Sequence, residues 1–143
     1  MDIAAFIDEV RSWIGTPFHH AARSKGIGVD CVGVLIEAAR AQGLIDYQNV
    51  EYSRLVDPAY LTSEILRFCR YVAIEDRRPG DVLLFAIEGS AQHTGILTQR
   101  DPGSEKFVHA NQSAGLVSEN DLKPVYIRKL AAVFRIKEGS WLK

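Results

Sequence analysis

Pro79-Gly80-Asp81-Val82-Leu83-Leu84-Phe85-Ala86, residues 79–86, marks the point where the chain changes period. Pro79-Gly80-Asp81 is a turn and Val82 to Ala86 a strand. Upstream, apolar residues recur at helical spacing. Ile3, Phe6, Ile7, Val10, Trp13 and Ile14 form one such series, with Asp2 as cap and Gly15 as stop. A second helix runs from Cys31 to about Gln42, ahead of the Gly43 stop. A third begins at Asp57-Pro58, with proline at the first helical position. Leu61, Ile65, Phe68, Cys69 and Val72 share one face of it, so Cys69 reads as a core residue. Downstream of the turn the pattern is short strands. Gly89-Ser90 ends the first, Gln92 to Thr98 is the next, and Asp101-Pro102-Gly103 turns into Lys106 to Ala110. Leu116 to Ser118 is a short strand and Leu130 to Ile136 the last. Helices first and strands afterwards predict an α+β domain with an antiparallel sheet.

The chain has 143 residues, 47% apolar and 24% charged, which fits one folded domain, 1–143. Its net charge of -1 gives no sequence-wide pull toward nucleic acid or an anionic membrane. No apolar run approaches the roughly 20 residues of a membrane span. The acidic start, Met1 to Glu9, lacks a basic n-region, so no secretory signal is expected and synthesis is expected to be cytoplasmic. Two cysteines make no disulfide framework; a thiol role fits better.

The thiol with the most telling position is Cys31. Asp30 is a good N-cap, so Cys31 is the first helical residue. The partial positive charge of a helix start favours thiolate over thiol. Cysteine hydrolases also need an imidazole to move protons and a polar group to orient it. His93 and His109 follow on strands joined by a hairpin-like turn, where they can lie side by side. Asn111 shares a strand face with His109 and rivals it for the orienting role. A zinc site has little support: the chain has no Cys-x-x-Cys, His-x-x-x-His or His-Glu-x-x-His spacing. No metal or other cofactor is expected, and no glycine-rich phosphate loop follows a strand.

Trp13-Ile14-Gly15-Thr16-Pro17-Phe18, Asp30-Cys31-Val32-Gly33, Pro79 to Phe85, His93-Thr94-Gly95-Ile96-Leu97 and Phe107-Val108-His109-Ala110, in that order, resemble the NlpC-type cell-wall cysteine peptidases. The resemblance implies a papain-like α+β fold, with the Cys31 helix packed against the sheet that bears both histidines. It implies hydrolysis of peptide bonds in peptidoglycan stem peptides, with Cys31 as nucleophile and His93 and His109 completing the triad. Asp30, Phe18 and His20 then border the substrate. The small size and the Pro17-Phe18-His19-His20 variant look most like the phage-associated branch, which implies phage tail or gene-transfer-particle proteins as partners. Other readings are a thiol amidase or acyltransferase on another acyl group, and a silent tail component. This chain departs from the family pattern at Val32 (usually Ser), at Phe18 (usually Tyr) and at His20-Ala21-Ala22 (often Trp-Gly-Gly). Relatives that grip a free N-terminal L-alanine use the Tyr, Asp and Ser; here Asp30 alone remains. His19 and Arg23 are further polar groups on this loop, and Arg23 suits a stem-peptide carboxylate.

Overall fold

Three aspartates start the three main helices in the same way. In this computed structural model, which describes residues 2–44, 57–87 and 90–137, Asp2, Asp30 and Asp57 each accept a hydrogen bond from a backbone N–H of the first turn. The helices are α1 (Ile3–Arg11), α2 (Cys31–Ala41) and α3 (Pro58–Ile65). Each cap satisfies a donor that the helix cannot, worth about 1 kcal/mol. A two-residue pair, β1 (Arg23–Ser24) with β2 (Gly28–Val29), folds the loop before α2.

The remaining strands are β3 (Cys69–Val72), β4 (Val82–Ile87), β5 (Ser90–Asp101), β6 (Ser104–Asn111), β7 (Leu116–Asp121) and β8 (Leu130–Ile136). They form one six-stranded sheet in the order β3-β8-β4-β5-β6-β7, each neighbouring pair antiparallel. A one-turn helix, α4 (Pro124–Ile127), precedes β8. The chain is therefore α+β, as the change of period at residue 79 predicts.

Both faces of the sheet are covered. Val82, Leu84, Ile96, Val108, Ala110, Phe134 and Ile136 pack with α1, α2 and α3. Their strand neighbours Leu83, Phe85, Leu97, Phe107 and Val133 pack beneath Tyr126 and Ile127 of α4. A strand buried on both faces reads as an unbroken apolar run. That is why Val82-Leu83-Leu84-Phe85 shows no alternation.

Three expectations need correction. The third helix ends at Ile65, and Cys69 to Val72 is strand, not helix. Cys69↔Ile136 through Val72↔Val133 pair with β8, so a sheet edge in need of a partner overrides the helical spacing. Phe68 and Cys69 remain buried, 2% and 1% exposed, so the core assignment of Cys69 survives the change of element. The first helix ends at Arg11, and Trp13 is buried from the turn that follows. The strand expected over 116–118 extends to Asp121. The expected break at Gly89 lies outside the described residues.

Candidate active site

The loop before α2 is tied to Asp30. Its Oδ1 accepts from Gly33 N at 2.8 Å and its Oδ2 from Ala21 N at 2.9 Å. Asp30 is buried, and that desolvation raises its carboxyl above the usual range, opposed by the two backbone hydrogen bonds. Ala21 sits at φ +60°, a left-handed conformation that glycine adopts freely and alanine does not. The bond to Asp30 holds it there. Gly33 allows the loop to rest directly on the helix: a Cβ there meets Ala22 O and Val29 Cγ2, each at 2.9 Å.

Cys31 is thus the first residue of α2, partly accessible as a residue. Thr94, on β5, reaches the same place. Its hydroxyl donates to Cys31 O at 3.1 Å, and its hydroxyl and backbone N–H both favour the thiolate. Desolvation outweighs them and pushes the Cys31 thiol up. Helix position favours the thiolate, and enclosure of the sulfur by protein opposes it, because the charged form loses water.

His93 precedes Thr94 in β5. Next to it the ladder slips: Phe85 pairs with His93 but Ala86 pairs with Ala91, so position 92 is an extra residue. Such bulges re-aim the adjacent side chain. His93 Nε2 lies 2.8 Å from Nδ1 of His109 on β6. Gly95 permits this approach, because a Cβ there lies 2.9 Å from Phe107 Cδ2 and 3.4 Å from His109 Cβ. Phe85 lies 5.9 Å from the His93 ring, and Phe107 4.4 Å from the His109 ring, both measured between centroids. This apolar packing lowers both histidines. His93 falls to about 4, by desolvation first and by the neighbouring His109 second. His109 is lowered by desolvation, with a hydrogen bond to Asn120 opposing. Burial thus favours the uncharged form of all three groups.

The residue beyond His109 is Asn120 of β7, whose Oδ1 lies 2.9 Å from His109 Nε2. Asn111, the rival suggested by strand parity, instead accepts from Ala114 N at 3.1 Å and shapes the β6–β7 turn. The sequence reading missed Asn120 because it ended β7 at Ser118. The available signal was parity: His109 pairs with Ser118, so Asn120 falls on the same face.

Phe18 packs against the helix-side core beside the loop, and its N–H donates to Gly115 O at 2.8 Å. His20 is exposed, and its charge favours the Asp30 carboxylate. His19 turns its Nδ1 to the His20 carbonyl at 3.2 Å. Arg23 reaches Glu37 of α2 at 3.8 Å. Among the described residues, no three His, Cys, Asp or Glu side chains are grouped to hold a metal ion, and no helix is long and apolar enough to cross a membrane.

Known proteins with this arrangement are informative. The chain is 23% identical over 134 residues to the murein DD-endopeptidase MepS/murein LD-carboxypeptidase of Escherichia coli K12, covering 94% of this chain and 63% of that one. It is 29% identical over 130 residues to the probable endopeptidase NlpC of the same organism, covering 89% of this chain and 73% of that one. Among solved structures, an NlpC/P60 family protein from Bacillus cereus superposes with a TM-score of 0.71 at 21% identity, over 95% of this chain and 40% of that one. The NlpC/p60 domain of the peptidoglycan hydrolase SagA superposes at 0.60 with 19% identity, over 96% and 99%. The family's sequence profile matches residues 15–135, from Gly15 before the loop to Arg135 in the last strand, and the chain belongs to the NlpC/P60 family.

Proposed function

We propose that this chain is a cysteine peptidase that hydrolyses peptide bonds in peptidoglycan stem peptides. Cys31 is the nucleophile, His93 the general base and acid, and His109 the group that orients His93. The observation that carries this reading is the His93–His109 pair, 2.8 Å between ring nitrogens, on the strand whose next residue, Thr94, donates to the Cys31 carbonyl at 3.1 Å. In the attack, the Cys31 thiol gives its proton to His93 as sulfur bonds to the scissile carbonyl carbon. The resulting imidazolium then protonates the leaving amine. Water, deprotonated by the same ring, releases the acyl group from sulfur. A neutral base and a neutral thiol suit this order, because the proton moves as the bond forms.

The substrate side of the proposal rests on the loop. Both Asp30 oxygens are engaged by backbone N–H groups, Val32 has no hydroxyl and Phe18 no phenol. An ammonium group buried here would have the Asp30 carboxylate but neither the hydroxyl nor the phenol of the family pattern, so it would be under-partnered, at a cost. The preferred substrate is therefore a stem peptide still joined to muramic acid. His20 and Arg23 border it, and the Pro17-Phe18-His19-His20 variant supports a member of the phage-associated branch, acting from a tail or gene-transfer particle.

Digestion of purified sacculi, with mass spectrometry of the soluble fragments, tests the reaction. New peptide termini within the stem, absent with Cys31→Ala, are expected. Cleavage between muramic acid and the first alanine would instead favour an amidase, and intact sacculi would leave a silent structural component.

A further inference from the structure

We propose that Asn120, anchored by Ser118, is a positioning residue that sets the tautomer of both imidazoles and so keeps the lone pair of His93 Nδ1 available for the Cys31 proton. This rests on the Cys31–His93–His109 reading and adds a residue to it.

An amide oxygen can only accept hydrogen bonds. Asn120 Oδ1 lies 2.9 Å from His109 Nε2, so that nitrogen carries the hydrogen. In a neutral imidazole the other nitrogen is then bare. His109 Nδ1 is therefore an acceptor, and His93 Nε2, 2.8 Å away, must donate to it. By the same rule His93 Nδ1 is bare, and it has no hydrogen-bond partner among the described residues. The consequence passes through two rings to the one nitrogen that can act as base.

Rotating the amide by half a turn would reverse every step. A donating NH2 would require a bare His109 Nε2, a hydrogen on its Nδ1, a bare His93 Nε2 and a hydrogen on His93 Nδ1. That site cannot take a proton from sulfur. In the observed orientation the Ser118 hydroxyl donates to the same Asn120 Oδ1 at 2.7 Å, so the oxygen accepts from both Ser118 and His109. Ser118 and Asn120 both stand on the β7 face that carries His109, directly opposite it and one step diagonal. His109 is buried, 5% exposed, which restricts water from taking the place of the amide oxygen.

Nitrogen-15 NMR of imidazole-labelled protein reads the tautomers directly. Pyrrole-like Nε2 and pyridine-like Nδ1 signals are expected for both His93 and His109. A pyrrole-like Nδ1 on either ring overturns the proposal. The second readout is the rate of Cys31 alkylation by iodoacetamide. Asn120→Leu, close in volume and without hydrogen bonds, should mix the tautomers and slow alkylation by about tenfold or more. Asn120→Asp keeps the acceptor, so it should keep the wild-type tautomers, with the acid limb of the alkylation profile moved to higher pH by the added charge. Wild-type alkylation in Asn120→Leu, or mixed tautomers in Asn120→Asp, would contradict it. If Asn120→Leu does not fold, the wild-type spectrum and Asn120→Asp decide. Neither readout uses peptidoglycan, so failure on sacculi and failure here remain distinguishable.

Discussion

The head of α2 and the edge strand β3 each hold one cysteine, and burial pushes both thiols up. Their surroundings otherwise differ. Cys31 has Thr94 donors beside it, an aspartate cap before it and the His93–His109 pair next along β5. Cys69 is 1% exposed in the apolar core, and its nearby charge, Asp81, raises the thiol further. Burial by itself therefore does not separate a nucleophile from a packing residue. What differs is the polar surroundings of Cys31: an aspartate cap and the Thr94 donors.

The comparison breaks most sharply at Cys31. Cys31→Ala should reduce peptide hydrolysis to background while thermal unfolding stays near wild type, and Cys69→Ala should retain turnover. An inactive but folded Cys69→Ala would reverse the assignment. Next in size, His93→Ala should lower kcat by about 100- to 10,000-fold, as for loss of a general base. His109→Ala should cost less, because its ring acts through His93. Equal losses would give His109 a direct part in the chemistry.

The sequence reading places Cys31 at a helix start and Cys69 in the core, and both positions hold in the fold. Asp30 as a cap and the apolar spacing around Cys69 are local signals, and local signals are legible in sequence. The strand identity of Cys69 to Val72 is not local: it depends on β8, which begins about sixty residues later and supplies Ile136 and Val133 as partners. Asn120 was hidden for a related reason. Ser118-Glu119-Asn120-Asp121 is polar and lacks a strand signature, yet pairing with β6 holds it extended. The burial that opposes a thiolate at the helix start was not legible, because enclosure is a property of the packed loop and sheet, which no five-residue motif contains.

Acid sharpens the contrast in a different way. With His93 lowered to about 4, its ring remains a base well below the usual histidine range. The acid limb of kcat/KM should fall near pH 4 to 5, not near 6.5. Stability moves in the same window. The unfolded chain binds a proton at His93 near pH 6.5 while the folded one resists until about 4, and His109 is lowered in the same direction, so folding stability should fall as pH drops through that interval. His93→Asn should flatten part of that fall in chemical denaturation series, and an unchanged slope would show that the ring is not desolvated.

The smallest expected effect lies at the edge strand. Cys69→Ala removes one buried sulfur and should lower unfolding free energy by about 1 kcal/mol. A neutral effect would mean that β3 relaxes into the space.

Site-resolved alkylation tests the central claim most directly. Native protein is treated with iodoacetamide, quenched over time and mapped by peptide mass spectrometry. The account predicts that Cys31 is modified, that Cys69 stays unmodified until the protein unfolds, and that His93→Ala slows Cys31 without changing Cys69. Equal modification of the two thiols, or a Cys31 rate indifferent to His93, would contradict it.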